Sequence, residues 1–532
     1  MTPSITNTTG KAALGLMARA YAHQRQDGRP MTSAYVDLAT RQQRIYRLEH
    51  LASMAHWDRA SYMPPGANEA RAEALAELAA LMHRLQTDPA LGAQITAAHG
   101  ETLDDDQRAN LREIRRNWEE AIALPAALVA RRQVASSRCE HAWRTQRPAN
   151  DWQGFLANFR EVVAVAREEG LRLAERTGTG PYEALMQRFE PDMRCATVDR
   201  LFAGLRSWLP PLLAQVVELQ ARQPAMAPKG PFPRDAQRRV CEELMRLLGF
   251  DFTTGRLDVS AHPFCGGVPE DVRLTTRFQD DSFLGSMMGT VHETGHGCYE
   301  QNLPRQWLGQ PLARARSMAI HESQALGFEM QLGGHPGFCK LLGPLLCDAF
   351  GSQPAFEPEN LFRLINRVQP GLIRVDADEV SYPAHIILRY EIERPLVEGT
   401  IEPEDIPALW DQKVGELLGL DSRGNFRDGP MQDVHWPEGL FGYFPCYTLG
   451  AMYAAQWFAS MRRQIPTLDE EISRGCFTPV FDWLRENIWS QGSRWTTDEL
   501  LMRASGGLLN PQYLHQHLRE RYLGTAATFP AG

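Results

Sequence analysis

The stretch VHETGHGCY, residues 291–299, sets what the rest of the chain must supply. It contains His292 and His296, with Glu293 directly after the first histidine. Side chains four positions apart on an α-helix lie on one face, so both imidazoles can reach one metal ion. Glu293 is offset by one residue, and its carboxylate then lies beside the ion, where a general base for a metal-activated water belongs. The pattern predicts a helix with two ligands and one base, which needs a third ligand from elsewhere.

The third ligand should be a histidine or a carboxylate on a separate element. His321 and Glu322 lie in the next predicted helix, which runs through Met318 to about Leu332. Neighbouring side chains on a helix point about 100° apart, so only one of the two can face the ion. We predict Glu322 as the ligand of a His₂Glu site, with His321 supporting a ligand or buried in the core.

The only convincing strand signal is DVRLTTRF, residues 271–278, in which apolar and charged residues alternate. It shortly precedes the metal helix, predicted from about Phe283 to Asn302. In this order an extended substrate can lie along the strand edge beside the metal. Four glycines in the helix, at 285, 289, 295 and 297, each cost about 1 kcal/mol against alanine, and their density indicates close packing by neighbouring backbone or by substrate.

The remaining segments are predicted to be mostly helical, which gives a mainly α fold, and the part from Tyr35 to Arg222 is expected to form an antiparallel helical array. We expect Trp57 to Gly66 to break the first long helix, because this stretch ends in two prolines and a glycine. The helix over residues 201–222 is expected to be interrupted at Pro210 and Pro211.

Composition excludes several classes of protein. The 532 residues carry a formal net charge of -9 and no basic run, which argues against a nucleic-acid partner. No apolar run approaches the roughly 20 residues that span a bilayer, and the N-terminus shows no secretory signal pattern. The nine cysteines are scattered without a C-x-x-C pair, which is typical of reduced thiols. We expect a cytoplasmic protein that binds neither nucleic acid nor membrane.

Six motifs follow one another in an order that carries a family resemblance. They are HPF at 262–264, the D-x-R-x-T of Asp271, Arg273 and Thr275, HETGH at 292–296, HESQ at 321–324, IRVDAD at 373–378 and GPMQDVHW at 429–436. In this order they resemble the thermostable carboxypeptidase Taq family of metallocarboxypeptidases. The resemblance covers about residues 35–525, and Trp57-Asp58 with Met63-Pro64 looks like the family's N-terminal helical region.

The resemblance implies a mainly α, zincin-like fold with a deep central groove and, from the strand signal, a small β-sheet beside the catalytic helix. It implies one domain over 35–525, with a helical part at 35–222 and a catalytic part at 236–525. Residues 1–34 are expected to be an extension with little fixed structure, and 526–532 a tail. The resemblance also implies one catalytic Zn²⁺, which Co²⁺ can replace, a homodimer, and release of single C-terminal residues from peptides with broad side-chain tolerance.

Peptide hydrolysis assigns roles to further residues. Zn²⁺ lowers the pKa of its water to about 7, and Glu293 is predicted to take the proton and deliver it to the leaving amine. The developing oxyanion needs donors besides the metal. The family motif favours His435 as one donor, and Tyr443 and Tyr447 are candidates between which the sequence does not choose.

An exopeptidase must also bind a free carboxylate, for which a planar guanidinium is suited. By its family position Arg374 is the first candidate, and an ion pair with Asp376 or Asp378 is its structural alternative. Arg273 is a second candidate, although a structural ion pair with its acidic neighbours explains it equally well. His262 is expected to line the same groove, or else to hold a turn.

Two rival functions remain open at this level. A zincin of similar fold could cut internal bonds or remove dipeptides, and a side chain that binds the terminal carboxylate separates that case. A non-catalytic metal-binding protein could keep the same helix. Glu293 argues against it, because metal binding alone does not need a base.

Overall fold

The structure is a computed structural model of the chain and describes residues 33–524. Its described part is built mostly from α-helices around one small sheet, which confirms the mainly α fold. The helices before the sheet are α1 (Ala34–Ser61), α2 (Asn68–Gln86), α3 (Ala90–His99), α4 (Asp105–Ala123), α5 (Ala126–Gln146), α6 (Trp152–Thr177), α7 (Pro181–Met186), α8 (Cys195–Ala221) and α9 (Arg234–Leu247). None of the described helices is long and apolar enough to cross a membrane.

The sheet has three strands in the order β1-β3-β2, where β1 is Gly255–Val259, β2 is Cys265–Val268 and β3 is Asp271–Thr276. The central strand β3 pairs parallel to β1 and antiparallel to β2. It is the strand that the sequence predicts. The other two were missed: β2 is short and contains two glycines, so it gives no alternating pattern.

The helices after the sheet carry the metal motif and the later motifs. They are α10 (Leu284–Gln301), α11 (Met318–Leu326), α12 (Pro336–Phe350), α13 (Pro358–Ile365), α14 (Tyr382–Glu398), α15 (Ile406–Leu418), α16 (Pro445–Gln464), α17 (Leu468–Ser473), α18 (Thr478–Asn487), α19 (Thr497–Ser505) and α20 (Gln512–Leu523). The predicted helix over 283–302 is α10. The predicted helix ending near Leu332 is α11 followed by a π-helical turn, Gly327–Gly333.

Two predicted helix breaks do not occur as expected. Helix α8 continues through Pro210 and Pro211. Proline costs a helix a hydrogen bond, but the neighbouring Leu209, Leu212 and Leu213 are almost fully buried, and this packing outweighs the loss.

Helix α1 likewise runs past Trp57 and ends at Ser61, so only the last part of the predicted break is non-helical. Trp57 is buried, and the guanidinium of Arg273 lies 4.5 Å from its ring centre. The Trp57–Arg273 contact joins the first helix to the sheet.

The predicted N-terminal extension, residues 1–34, lies mostly outside the described residues, as does the predicted tail, 526–532. At its end, the hydroxyl of Ser33 accepts a hydrogen bond from the backbone N–H of Val36, and Ala34 begins α1. Ser33 and Ala34, which the prediction assigned to the extension, thus belong to the described part of the chain.

Helix α11 lies between α10 and α16, and glycines make both contacts close. A Cβ atom at Gly295 of α10 would lie 2.4 Å from the carbonyl oxygen of Gln324. A Cβ atom at Gly450 of α16 would lie 2.8 Å from Cβ of Glu322. Real Cβ atoms do not approach other atoms this closely, so any larger residue at either position would push α11 away.

The four glycines of α10 have different neighbours. Gly295 meets backbone, and a Cβ at Gly297 would lie 2.8 Å from the ring of Phe250. Nothing lies within 4 Å of a Cβ at Gly285 or Gly289, and both residues line the central groove. The prediction of packing by neighbouring backbone holds for Gly295. Gly285 and Gly289 instead leave space in the groove that a side chain would fill.

Candidate active site

A groove of about 2390 Å³ crosses the molecule and brings most of the predicted site residues together. The predicted residues that line it are His262, His292, Glu293, His296, Glu322, Arg374, His435, Tyr443 and Tyr447. They come from α10, α11, α16 and the loops before β2, before α14 and before α16. Residues far apart in sequence thus face one cavity.

The ligand atoms of His292, His296 and Glu322 all lie within 4.8 Å of one another. Nε2 of His296 is 3.6 Å from Oε2 of Glu322. Two ligands of a tetrahedral zinc ion, each about 2.1 Å from it, are about 3.4 Å apart. The three residues therefore fit one metal ion, with room for a further ligand from the groove.

Glu329 fixes the orientation of the first ligand. Its Oε2 lies 2.8 Å from Nδ1 of His292. A carboxylate there accepts the Nδ1–H, which leaves the lone pair on Nε2 free for a metal. Glu329 lies in the π-helical turn after α11 and was missed in the sequence. It follows Glu322 by about two helical turns, and this spacing on one helix face could have indicated it.

His321 is held away from the ligand positions. Its Nε2 lies 2.9 Å from Oε1 of Glu300, and its ring stacks on that of His296 with centres 4.5 Å apart. The structure thus places Glu322 beside His292 and His296, the two candidate ligand histidines, and His321 behind one of them.

The charges around the ligands suit a cation. Burial lowers the pKa of His292, but hydrogen bonding and charge from Glu329, with the charge of Glu322, outweigh it and raise that pKa to about 10. Burial raises the pKa of Glu293 to about 7, and the nearby Glu322 carboxylate adds to the effect. Three carboxylates around two imidazoles leave a local excess of negative charge, which a divalent ion would neutralise.

Glu293 is the buried carboxylate that faces the groove without a partner. Only 7 % of its surface is exposed, and it receives no hydrogen bond from any residue in the described part of the chain. A carboxyl group with a pKa near neutrality can both accept and return a proton, which is what a general base and acid must do.

Arg374 lines the groove with its guanidinium held in place. Its Nε and Nη2 lie 3.0 and 2.8 Å from Oδ1 of Asp433, and its Nη1 lies 2.6 Å from the hydroxyl of Tyr382. Three of the five N–H donors are used in these bonds. Two remain for a ligand, and a guanidinium that is already oriented loses little entropy on binding a carboxylate.

The ion pair of Arg374 is not the one that the sequence suggests as its structural alternative. Asp378 instead accepts hydrogen bonds at the start of α14, for example from the backbone N–H of Ser381. The partner is Asp433, which also binds Nε of Arg389 at 2.8 Å. The buried carboxylate thus bridges two arginines, and their charges hold its pKa well below the usual range although burial opposes this.

Arg273 and His262 differ in their relation to the groove. Arg273 forms a bidentate ion pair with Asp271, at 2.9 and 2.7 Å, and is not among the residues that line the cavity. His262 is exposed on the loop before β2 and lines the cavity. The structure gives Arg273 a structural partner and leaves His262 free to contact a ligand.

The predicted substrate edge needs a correction. Strand β3 has neighbours on both sides and offers no free edge. Cys265, the first residue of the outer strand β2, lines the groove. The hydroxyl of Ser53 on α1 donates to the carbonyl of Gly267 at 2.8 Å, so α1 covers the far end of this edge. On the β2 side, the beginning of the strand and the loop before it line the groove and are the part that an extended peptide can reach.

The tyrosines differ in their contacts. The hydroxyl of Tyr447 lies 3.1 Å from Nε2 of His435. Burial and the charge of Arg374 lower the pKa of His435 to about 3, so its imidazole is neutral at physiological pH. Tyr443 packs edge-on against Phe189, with ring centres 5.0 Å apart, and no residue in the described range 33–524 hydrogen-bonds its hydroxyl. Tyr443 is therefore the one with a free hydroxyl in the groove.

Comparisons with known proteins show which family the chain belongs to. The family model described as carboxypeptidase Taq (M32) metallopeptidase matches residues 37–522. The chain belongs to the M32 family. It is 38% identical over 502 residues to thermostable carboxypeptidase 1 of Thermus thermophilus, which covers 92% of this chain and 98% of the relative. It is 33% identical over 485 residues to carboxypeptidase 1 of Bacillus subtilis, with 90% and 96% covered.

Solved structures extend the M32 assignment to the fold. The structure of Trypanosoma cruzi metallocarboxypeptidase 1 superimposes with a TM-score of 0.90 at 45% identity, covering 92% of this chain and 99% of that chain. A Pyrococcus furiosus carboxypeptidase gives 0.88 at 31% identity, covering 94% and 100%. This chain is thus an M32 metallocarboxypeptidase, an enzyme that acts on peptides and uses a metal ion.

In this M32 enzyme we expect Glu329→Gln to weaken metal binding by roughly 10- to 100-fold, because an amide orients His292 less well than a carboxylate does. Competition with a chelator of known affinity measures the change. Glu300→Gln is the matched control, since it alters a similar contact to His321, which is not among the three candidate ligands. Equal metal affinities for the two variants would contradict the role of Glu329.

Proposed function

We propose that this M32 enzyme is a zinc carboxypeptidase that releases single amino acids from peptide C-termini. The observation that carries the proposal is the position of Arg374, a buried guanidinium with two free N–H donors in the groove that holds the metal ligands. Arg374 lines the same groove as the three proposed ligands, and its charge opposes the rise in the pKa of Glu322 that burial causes. An exopeptidase needs this proximity, because the terminal carboxylate is one residue from the bond to be cut.

The ligand set supports zinc. Two imidazole nitrogens and one carboxylate oxygen with an open position are a common catalytic zinc site, and Co²⁺ accepts the same ligands. A bound Zn²⁺ acidifies water and polarises the scissile carbonyl. The chain's part is to hold His292, His296 and Glu322 in place and to exclude other ligands.

Glu293 moves the proton. Its buried carboxylate faces the groove one residue after the first ligand, and its raised pKa of about 7 suits transfer in both directions at neutral pH. It takes a proton from the attacking water and gives it to the amine that leaves. His435 remains neutral during this step because its pKa is lowered to about 3. It therefore does not attract the terminal carboxylate of the substrate away from Arg374.

The oxyanion that forms on the scissile carbonyl needs a donor from the protein. We assign this role to Tyr443, because its hydroxyl is free while that of Tyr447 is engaged with His435. The neutral imidazole of His435 and the hydroxyl of Tyr447, which lie within hydrogen-bond distance of each other, line the groove next to Arg374. The guanidinium carbon of Arg374 lies 4.8 Å from the ring centre of Tyr447. His435 and Tyr447 therefore bind and orient the substrate.

Further features of the proposal rest on the family resemblance and on the shape of the groove. A wide groove with both polar and apolar walls supports broad tolerance of the terminal side chain. We also propose a homodimer located in the cytoplasm. All nine cysteines lie in the described residues and are unpaired, which is consistent with a reducing compartment.

Mass spectrometry of a mixed peptide pool tests the activity. We expect stepwise loss of one C-terminal residue, abolished by a chelator and restored by Zn²⁺, because both the metal and Arg374 are needed. Peptides of the same sequence with an amidated C-terminus are the control and should be cut at least about tenfold more slowly, since they lack the charge that a buried arginine binds. Internal cleavage, release of dipeptides, or equal rates for amidated peptides would contradict the proposal.

The two tyrosines give a second test. We expect Tyr443→Phe to lower kcat by roughly 100- to 1000-fold with little change in KM, as for the loss of an oxyanion donor. Tyr447→Phe should act mainly on KM. Initial rates with one free-C-terminus peptide measure both constants. A larger loss of kcat in Tyr447→Phe than in Tyr443→Phe would reverse the assignment.

A further inference from the structure

We propose that Glu393, on α14, is a positioning residue that holds both ends of the loop between His435 and Tyr443. This inference rests on the proposed role of Tyr443 in catalysis. Glu393 is fully buried and does not line the groove. It would act on the reaction only through the loop, which we name the 436–442 loop.

Three hydrogen bonds converge on this carboxylate. Its Oε1 accepts the indole N–H of Trp436 at 2.8 Å. Its Oε2 accepts the backbone N–H of Gly442 at 3.1 Å and the hydroxyl of Tyr182 at 2.9 Å. Trp436 directly follows His435, and Gly442 directly precedes Tyr443. One side chain thus fixes the residue next to each of the two groups that face the substrate.

The end of the loop also packs closely against α7. Gly442 has a φ of +87°. A Cβ atom there would lie 2.7 Å from the backbone nitrogen of Met186 on α7. Tyr182 of the same helix donates to Glu393. The end of the loop therefore rests directly on the backbone of α7 and cannot move without breaking a bond to Glu393.

The electrostatic setting also indicates a role beyond packing. In the described part of the chain no arginine or lysine forms an ion pair with Glu393, whereas Asp433 is paired with Arg374 and Arg389. Burial raises the pKa of Glu393 to about 7. A buried carboxylate without an ion pair is costly, and an apolar side chain would avoid that cost. We infer that the carboxylate is present to accept its three hydrogen bonds, two of which come from the loop.

Replacing the carboxylate with an amide must release one end of the loop. An amide has one oxygen that accepts and one nitrogen that only donates. If the nitrogen takes the place of Oε2, it faces the N–H of Gly442; if it takes the place of Oε1, it faces the indole N–H of Trp436. In either orientation two donors meet, and the loop shifts at His435 or at Tyr443.

Glu393→Gln is therefore the test. We expect kcat/KM to fall by roughly 10- to 100-fold, because displacements of about 1 Å cost this much in rate, while the metal affinity stays the same. Release of the Gly442 end acts on kcat through Tyr443, and release of the Trp436 end acts on KM through His435. Combined with Tyr443→Phe and His435→Ala together, the substitution should add less than about a twofold further loss, since residues that act through one another are not additive. Hydrogen-exchange mass spectrometry should show faster exchange in the 436–442 loop.

Two variants keep the test decisive. Glu169→Gln is the matched control, because Glu169 is equally buried, pairs with Arg132 and does not contact the loop; its kcat per folded molecule should be unchanged. If Glu393→Gln fails to fold, Trp436→Phe removes a single bond to the same carboxylate at the His435 end of the loop. It should raise KM and add little to the effect of His435→Ala.

The outcomes separate this inference from the proposed function. Unchanged kcat/KM, unchanged exchange in the loop, or a multiplicative loss when Glu393→Gln is combined with Tyr443→Phe and His435→Ala would each overturn the role of Glu393, even if the unmodified enzyme releases C-terminal residues. An unmodified enzyme that releases none would overturn the proposed function instead, whereas the exchange experiment would still report whether Glu393 holds the loop.

Discussion

The close approach of α11 to α10 and α16 is the contact on which the site depends. Gly295 lets the backbone of α11 reach α10, and Gly450 lets Cβ of Glu322 reach α16. Only at this separation can a carboxylate on one helix share a metal ion with two imidazoles on the other. The packing of three helices therefore sets the ligand geometry, and the glycines that weaken the helices locally make that packing possible.

The groove has negative charge around the candidate metal ligands and positive charge on the neighbouring wall. Carboxylates surround the ligand imidazoles, and Glu329 and Glu300 each orient one histidine. On the neighbouring wall Asp433 holds Arg374 and Arg389, so the positive charge there is fixed before a substrate arrives. An ordered site of this kind stabilises developing charge without having to rearrange. The groove can then place a terminal carboxylate at one part and the scissile bond at the other.

The sequence predicted the parts of the site that depend on local spacing. His292, Glu293 and His296 follow from helix periodicity, and Glu322 follows from the need for a third ligand on a separate helix. The partners of Arg374 could not be predicted, because Asp433 and Tyr382 reach it only after distant segments pack together. The unpredicted strands β1 and β2 are short, and their pairing with β3 is likewise tertiary. The predicted break at the two prolines of α8 was wrong because the local preference of proline against helix is outweighed by the burial of the neighbouring leucines.

The most direct measurement is a structure of the Glu293→Gln enzyme soaked with Zn²⁺ and a peptide that has a free C-terminus. The substitution removes the proton carrier and leaves the ligands and Arg374 intact. We expect one zinc ion on His292, His296 and Glu322, with the terminal carboxylate on the guanidinium of Arg374 and the last peptide bond facing the metal. A peptide that passes through the groove with its terminal carboxylate away from Arg374, or a zinc ion bound elsewhere, would contradict it.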